Sequence, residues 1–142
     1  MAVITDIADA VVAELNGGTF SQTFTAKRYY RPIFDLAEMS DLHVSVVPRA
    51  MTIERADRSR NQHDVQIDVA VQKKCEAGDA DELDPLMSLV EEIADFFRLR
   101  RLVAYPDAVW VKTENVPVYA QEHMEELRQF TSVLTLTFRV VR

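Results

Sequence analysis

The feature of this sequence that most restricts its fold is the alternation of apolar and polar residues in "HDVQIDVAVQK" (63–73). One side of this segment carries His63, Val65, Ile67, Val69 and Val71, and the other side carries Asp64, Gln66, Asp68 and Gln72. A period of two is typical of a β-strand with one buried face. At about 3.3 Å per residue this strand is about 36 Å long, roughly twice the usual length.

A β-hairpin over residues 50–73 is the simplest way to pair this strand. The segment "AMTIERAD" (50–57) supplies the first strand, and "RSRNQ" (58–62) has the composition of a turn. We expect a register that places apolar residues opposite one another, with Ile53 facing Ile67 and Met51 facing Val69. That register also keeps Glu54 away from Asp64. A core made with two helices does not need so long a strand. We therefore expect the hairpin to project beyond the body of the domain.

Two helices follow from apolar residues spaced at three and four positions. The first is predicted over Ile4–Leu15, with Thr5 or Asp6 as its cap and "NGG" (16–18) as a left-handed stop. The second is predicted over Asp84–Leu99, with Asp84 capping its start and Pro85 in its first position. Its expected inward face consists of Leu86, Met87, Val90, Ile93, Ala94 and Phe97, widened by Leu89 and Phe96.

The remaining apolar segments are predicted to be strands. They are "FSQTFTAKRYYR" (20–31), ended by Pro32, then "LHVSVVP" (42–48), "AVWVKTE" (108–114) and "FTSVLTLTFRVV" (130–141), and a short helix is possible at 121–127. The predicted order is α-β-β-β-β-α-β-β in a single domain over residues 1–142. This order describes an α+β fold, with a mixed, mostly antiparallel sheet and both helices on one face.

The charge of the chain argues against a general nucleic-acid binder. The formal net charge is −7, whereas affinity for nucleic acid comes from cations that neutralise phosphates. Eight acidic residues and no basic one lie between Glu76 and Asp95, and Arg98, Arg100 and Arg101 follow. Acids at the start of a helix and arginines at its end both oppose the helix dipole, which explains most of this pattern without a binding partner.

The sequence offers little for catalysis. Three glycines at predicted element boundaries cannot form a phosphate-binding loop or a dinucleotide fingerprint. Cys75 lies beside Lys73 and Lys74, which would lower its pKa, but a small residue at a strand end is the simpler interpretation. Asp64 and Asp68 would lie about 13 Å apart along one strand, too far for a pair of glycosidase carboxylates. His43, His63 and His123 lack metal-ligand spacing, and His63 is expected to hydrogen-bond to Asp57 instead. We therefore predict no enzyme, no metal site and no cofactor.

The hairpin tip is the strongest candidate for a contact surface, because an exposed strand edge invites pairing with another chain. Arginines at the tip of one copy would meet acidic residues near the second helix of a neighbour, in a head-to-tail contact that can close into a ring. The candidate interface consists of Asp57, Arg58, Ser59, Arg60, Asn61, Gln62, Asp79, Asp81 and Glu82. The alternative is a solvated hairpin without a partner.

The order of elements and four segments resemble a known family. "LHVSVVPRA" (42–50), the hairpin after it, "DPLMSLVEEIADFFRLRRL" (84–102) and "FTSVLTLTFRVV" (130–141) are similar to the small tail-completion proteins of long-tailed bacteriophages and prophages, in particular the tail terminator. The resemblance covers nearly the whole chain and rests on hydrophobic patterns more than on fixed motifs. It implies an α+β subunit with sheet contacts between subunits.

The resemblance also implies a role. A tail terminator assembles as a ring, usually hexameric, on the growing tail tube, stops its polymerisation and presents a surface to the head connector. The implied partners are other copies of the chain, the tube protein and the connector, with DNA passing through the ring without specific binding. The implied location is the tail end or neck of the virion, after assembly in the bacterial cytoplasm. No apolar run is long enough for a membrane span, and the acidic N-terminus does not resemble a targeting segment.

Three other interpretations remain open. A neck or head-closure protein has the same ring geometry but contacts the portal side. A cytosolic α+β domain that binds a small ligand or a peptide is the alternative from another class. A nucleic-acid binder is the third, because the aromatic and basic residues of "KRYYR" (27–31) could stack bases, although the same residues suit an amphipathic strand.

Overall fold

The sheet of this protein has five strands, in the spatial order β1-β2-β3-β5-β4. The computed structural model describes residues 2–30, 42–75, 80–116, 118–119 and 129–142. Its elements in chain order are α1 (Val3–Gly17), β1 (Ala26–Arg28), β2 (His43–Arg55), β3 (Asn61–Lys74), α2 (Ala80–Phe97), β4 (Val109–Glu114) and β5 (Gln129–Val141). Only β1 and β2 are parallel, and the other three pairs are antiparallel. The predicted α+β fold with a mixed, mostly antiparallel sheet is confirmed.

Both helices cover the same face of this sheet. Alternate residues of β2, β3 and β5 share one hydrophobic core with the apolar faces of α1 and α2, so each of these strands has one face toward the helices. The most deeply buried large side chains include Ile7 of α1, Phe97 of α2, Ile67 of β3 and Phe138 of β5. The predicted inward face of α2 is confirmed at Leu86, Leu89, Val90, Ile93 and Phe97, whereas Met87, Ala94 and Phe96 are only partly buried.

The first strand of the hairpin is longer than predicted. Segments 42–48 and 50–57 were expected to be two strands, but they form the single strand β2, which continues past Pro48 through an irregularity between Pro48 and Ala50. Proline lacks an N–H for the ladder and is tolerated at a bulge. Among the described residues there are therefore three strands before α2 rather than the predicted four.

The hairpin itself is confirmed, but its predicted register is wrong by four residues. Ile53 faces His63, and Met51 faces Val65. The turn closes earlier than expected, at residues 56–60, because Asp57 accepts hydrogen bonds from the backbone N–H groups of Ser59 and Arg60. An even shift keeps every side chain on its predicted face. The expected hydrogen bond between His63 and Asp57 is wrong because the turn closes earlier, so that His63 faces Ile53 and Asp57 lies in the loop.

A third strand runs along the hairpin. β5 pairs with β3 from Lys74 opposite Gln129 to Gln62 opposite Val141, and backbone hydrogen bonds join Asn61 and Arg142 beyond that point. The far half of the hairpin is therefore the end of a wider sheet, with the loop 56–60 beyond it. In this part of β2, every residue from Arg49 to Arg55 is exposed.

The strand predicted at 20–31 is shortened to Ala26–Arg28. Residues before it bind to α2 instead of the sheet: the backbone N–H of Ser21 donates to Glu92 Oε1 at 3.0 Å, and Gln22 Nε2 donates to the Pro85 carbonyl at 3.2 Å. Phe20 packs against Phe96 with ring centroids 5.1 Å apart. The predicted stop at Pro32 and the possible helix at 121–127 lie outside the described residues. The last two predicted strands are confirmed as β4 and β5.

The ends of both helices differ from the predictions. α1 begins after Ala2 without a side-chain cap, and Thr5 Oγ1 donates to the Ala2 carbonyl at 2.9 Å. Its glycines do not form a left-handed stop, since Gly18 is extended (φ −85°); a Cβ at Gly18 would lie 2.9 Å from atoms of the Phe20 and Phe96 rings. Glycine at this position thus allows the Phe20 and Phe96 rings to pack directly against the backbone.

The second helix begins at Ala80, one turn before the predicted cap at Asp84, so that Pro85 lies inside it. It ends at Phe97 rather than Leu99, because Leu99 has a left-handed backbone with φ 57°. The first turn contains Asp81 and Glu82, as the dipole argument expects, but the last turn contains no basic residue. The three arginines that follow belong to the loop.

Candidate assembly surface

The hairpin loop is held together by one carboxylate. Asp57 Oδ1 accepts hydrogen bonds from the backbone N–H groups of Ser59 and Arg60, both at 2.9 Å. Asp57 Oδ2 accepts from Arg60 Nε at 2.8 Å and lies 2.7 Å from Arg60 Nη2. The hydrogen bond from the Ser59 backbone and the Arg60 side chain lower the pKa of Asp57 to about 2. The loop thus has a defined conformation, and the charge of one of its arginines is compensated within the loop.

Arg58 is the tip arginine whose charge stays available. It is exposed, and no salt bridge or hydrogen bond joins its guanidinium to the described residues. Asn61 and Gln62 belong to β3 rather than to the turn, and Gln62 Nε2 donates to Asp64 Oδ2 at 3.4 Å. The six predicted tip residues therefore divide into an internally bonded group, two strand residues and one unpaired cation.

The predicted acidic partner surface lies at the other end of the sheet. Asp81 and Glu82 are in the first turn of α2, near Lys73 and Cys75 at the end of β3. Thirteen residue steps separate Asn61 from Lys74 along β3, which corresponds to about 43 Å. Within one chain the tip arginines and these acids do not meet, so a contact between them requires a second copy. Asp79 lies outside the described residues.

Cys75 directly follows the last residue of β3, as the simpler interpretation predicts, and it is buried. Burial raises the pKa of its thiol, and the nearby carboxylate of Glu82 adds to that effect. Lys73 acts in the opposite direction and is outweighed. The idea that neighbouring lysines activate this thiol is therefore wrong, because removal of water from the thiol dominates.

The polar face of the sheet contains cross-strand ion pairs that sequence reasoning missed. Arg139 Nε donates to Asp64 Oδ1 at 2.8 Å, and this hydrogen bond lowers the pKa of Asp64. Asp68 Oδ1 accepts from Thr135 Oγ1 at 2.8 Å and lies 3.6 Å from Arg49 Nη1. The alternation correctly placed these residues away from the core, but their pairing depends on β5 lying next to β3. Asp64 and Asp68 are structural partners of cations rather than a solvated acidic face.

Exposed apolar side chains near the far end of the sheet were also missed. Met51 and Ile53 of β2 are 43% and 53% exposed, although they face the helix side. On the opposite edge Val109 is 62% exposed and Leu99 is 78% exposed. These two residues line a cavity together with Arg100, Arg101, Pro106, Ala108 and Trp110. The sequence does show two apolar residues at alternate positions in "MTI" (51–53), but this pattern is typical of a buried face. Their exposure became clear only from the structure, in which the helices do not cover this part of β2.

Arg28, a basic residue of the candidate nucleic-acid segment 27–31, is paired with an acidic residue of the same chain. Arg28 Nε lies 2.8 Å from Asp9 Oδ1, and its guanidinium stacks 5.5 Å from the centre of the Tyr30 ring. A cation that is paired within the chain is less available to phosphate. In the described part of the chain no three His, Cys, Asp or Glu side chains lie together as a metal site would need. None of the helices there has the length and hydropathy of a membrane span.

Comparison with known proteins gives a likeness of fold. No protein-family model matches the sequence, and no curated protein matches it. The fold is similar to a cryo-electron-microscopy structure of the sheath/tube terminator of PVC, an extracellular contractile injection system, in its extended state. The superposition covers 100% of this chain and 57% of that chain, with a TM-score of 0.54 and 15% sequence identity. The chain thus spans little more than half the length of that terminator, and it has a tail-terminator-like fold.

Proposed function

We propose that the protein is a structural assembly factor that terminates a tube of the kind found in phage tails and contractile injection particles. Copies of the chain form a ring, hexameric by analogy with tail terminators, on the end of the growing tube and prevent the addition of further tube subunits. The single observation that supports this proposal best is the similarity of fold to a sheath/tube terminator over the whole of this chain. The resemblance of the sequence to tail-completion proteins supports it independently.

The surface of the chain is suited to such a position. The unpaired Arg58 lies at one end of the sheet, and acidic Asp81 lies at the other. Opposite charges at opposite ends of the subunit suit contacts with different partners on the two faces of a ring. A net charge of −7 also repels the phosphates of DNA that slides through a channel.

The proposal includes the partners and the location of the ring. The tube protein contacts one face, and a sheath component or the connector of the head contacts the other. The ring would lie at the neck end of the particle after assembly in the bacterial cytoplasm. The role is structural and needs neither a catalytic residue nor a cofactor.

Tube length is the direct test. The tube protein of the same particle would be expressed with and without this chain, and tube lengths would be measured by negative-stain electron microscopy. We expect short tubes that end in a ring when the chain is present, and long tubes of variable length without it. Equal length distributions would contradict termination. Binding to the connector with unchanged tubes would identify a neck protein, and a monomer without effect on either would favour a ligand-binding domain.

A further inference from the structure

In the part of the chain that the structure describes, one edge of the sheet is open over half its length. β1 pairs with β2 only as far as Arg28 opposite Val46, and a last backbone hydrogen bond joins Tyr29 N–H to the Val46 carbonyl at 2.8 Å. From Val47 to Arg55, β2 has no strand on that side among the described residues. Backbone N–H and C=O groups along such an edge are ready to pair with another strand.

The other edge is β4, which pairs with β5 alone in the described part of the chain. Its first residue, Val109, is largely exposed, and so is Val103 in the preceding loop. The cavity next to β4 is lined by Leu99, Ala108 and Trp110, among other residues. This edge therefore offers an open backbone and an apolar surface.

Both open edges lie at the same height in the sheet. Met51 of β2 faces Val65 of β3, Val65 faces Phe138 of β5, and Phe138 faces Trp110 of β4. Met51 and Trp110 are thus the two ends of one row of residues across the sheet. A second copy placed beside the first without a shift along the strands brings its β4 edge to the open part of β2.

The directions of the strands also agree. β2 and β5 both run antiparallel to β3, and β4 runs antiparallel to β5, so β4 is antiparallel to β2. When a neighbour joins with its helices on the same side, its β4 meets β2 in the antiparallel orientation that most of this sheet already uses. The contact joins two different patches, so it repeats around an axis and can close into a ring.

Side chains on the two edges are complementary. Met51 and Ile53 on the helix side of β2 would meet the neighbour's Trp110 and the apolar cavity beside it, which removes exposed apolar surface from water. On the other face of the sheet, the exposed Thr52 of β2 lies in the same row as Val109 of β4, which is 62% exposed.

We propose that the interface between copies of this chain is a continuous sheet, in which residues 47–52 of one copy pair antiparallel with Val109–Glu114 of the next. This inference rests on the self-assembly part of the proposed function and names the surfaces that carry it. The exposed Met51 and Ile53 side chains fill the cavity beside the neighbour's Trp110.

Cysteine cross-linking of the full-length chain tests the pairing. In a Cys75→Ala background, Thr52→Cys on β2 and Val109→Cys on β4, which are exposed and lie in the same row of the sheet, would be combined and treated with a short bis-maleimide. We expect a ladder of dimers, trimers and higher species for the double variant, and no cross-linked species for either single variant, since neither edge meets its own kind. The matched control Met51→Cys with Ile53→Cys, which has both thiols on β2, should give no ladder.

The outcomes separate this inference from the proposed function. Dimers from Thr52→Cys alone would show that β2 pairs with β2 and would overturn the inference. The inference would also be overturned if the double variant gave no cross-linked species although light scattering showed it to be oligomeric. A chain that stays monomeric at its highest soluble concentration would overturn it too. Tube capping by such a protein would leave termination intact, whereas a ladder without tube capping would leave the interface intact and remove termination.

A second variant supports the cross-linking without new thiols. Met51→Lys with Ile53→Lys places two charges on the open edge, where the wild-type side chains are exposed in the monomer. We expect an unchanged melting temperature and an increase of more than about tenfold in the concentration needed for oligomers. Unchanged self-association of this folded variant would contradict the proposed edge contact.

Discussion

Asp57 Oδ2 lies 2.7 Å from Arg60 Nη2 within the hairpin loop, so the two residues most suggestive of a charged tip bind each other. The loop therefore presents less positive charge than its sequence "DRSRN" (57–61) indicates. It also has a defined conformation in the isolated chain, which is what a contact surface needs if binding is not to require ordering of the loop.

The first prediction concerns the protonation of Asp57. Because its pKa is about 2 in the folded chain and about 3.9 in an unfolded one, the loop contacts contribute their full stabilisation above about pH 4 and lose it as the pH falls toward 2. A carboxyl ¹³C NMR titration should place the midpoint for Asp57 near 2. Arg60→Gln should raise that midpoint. A midpoint near 4 in the wild-type chain would show that the loop contacts are not formed.

The second prediction separates the two tip arginines. Arg58→Glu changes an exposed and unpaired side chain, so its free energy of unfolding should stay within about 0.5 kcal/mol of the wild type while assembly is impaired. Arg60→Glu brings a second carboxylate next to Asp57 and should also disturb the loop. Thermal melts and tube-length measurements on both variants check this. Normal assembly by Arg58→Glu would exclude a role for the tip charge.

The third prediction tests the core. Phe97 is completely buried, and Phe97→Ala should lower the free energy of unfolding by about 3–5 kcal/mol through the cavity that it leaves. Val103→Ala, at a side chain that is 82% exposed, is the control and should change it by less than about 0.5 kcal/mol. Urea unfolding followed by circular dichroism measures both values. Similar costs for the two variants would mean that α2 does not pack as described.

The fourth prediction concerns Glu14, a nearly buried carboxylate at the end of α1. It accepts a hydrogen bond from the Val103 backbone N–H at 3.0 Å and one from Arg100 Nη2 at 3.3 Å, while Arg100 stacks 3.8 Å from the centre of the Phe96 ring. Glu14→Ala leaves these donors without their acceptor and should cost about 1–3 kcal/mol, whereas Glu14→Gln keeps an acceptor oxygen and should cost less. Equal losses in urea unfolding would assign the effect to packing rather than to the hydrogen bonds.

Periodicity predicted the faces of the elements more reliably than their partners. The alternation at 63–73 correctly placed Ile67 in the core and Asp68 outside it, because alternation is a property of one strand. The register of the hairpin was wrong because it depends on where the turn closes, and the Asp57 contacts that close it involve the backbone.

The candidate surface shows the same limit. Arg139 and Asp64 lie 75 positions apart, and nothing in either segment indicates that β3 and β5 are neighbours. Likewise, β2 has no strand beside its far half among the described residues because β1 ends at Arg28, whereas the sequence predicted a strand as far as residue 31. Contact surfaces that depend on the order of strands cannot be obtained from local patterns.

The fifth prediction follows from the backbone at Leu99, which has φ 57° in the turn after α2. A left-handed conformation is unfavourable for a residue with a Cβ, whereas glycine adopts it readily. Because the Leu99 side chain is 78% exposed, Leu99→Gly loses little packing and should raise the free energy of unfolding by about 0.5–1 kcal/mol, after the greater flexibility of glycine in the unfolded chain is included. Leu99→Ala keeps the Cβ and should leave stability nearly unchanged. The two variants would be compared by urea unfolding; a Leu99→Gly protein no more stable than Leu99→Ala would mean that the turn is not strained.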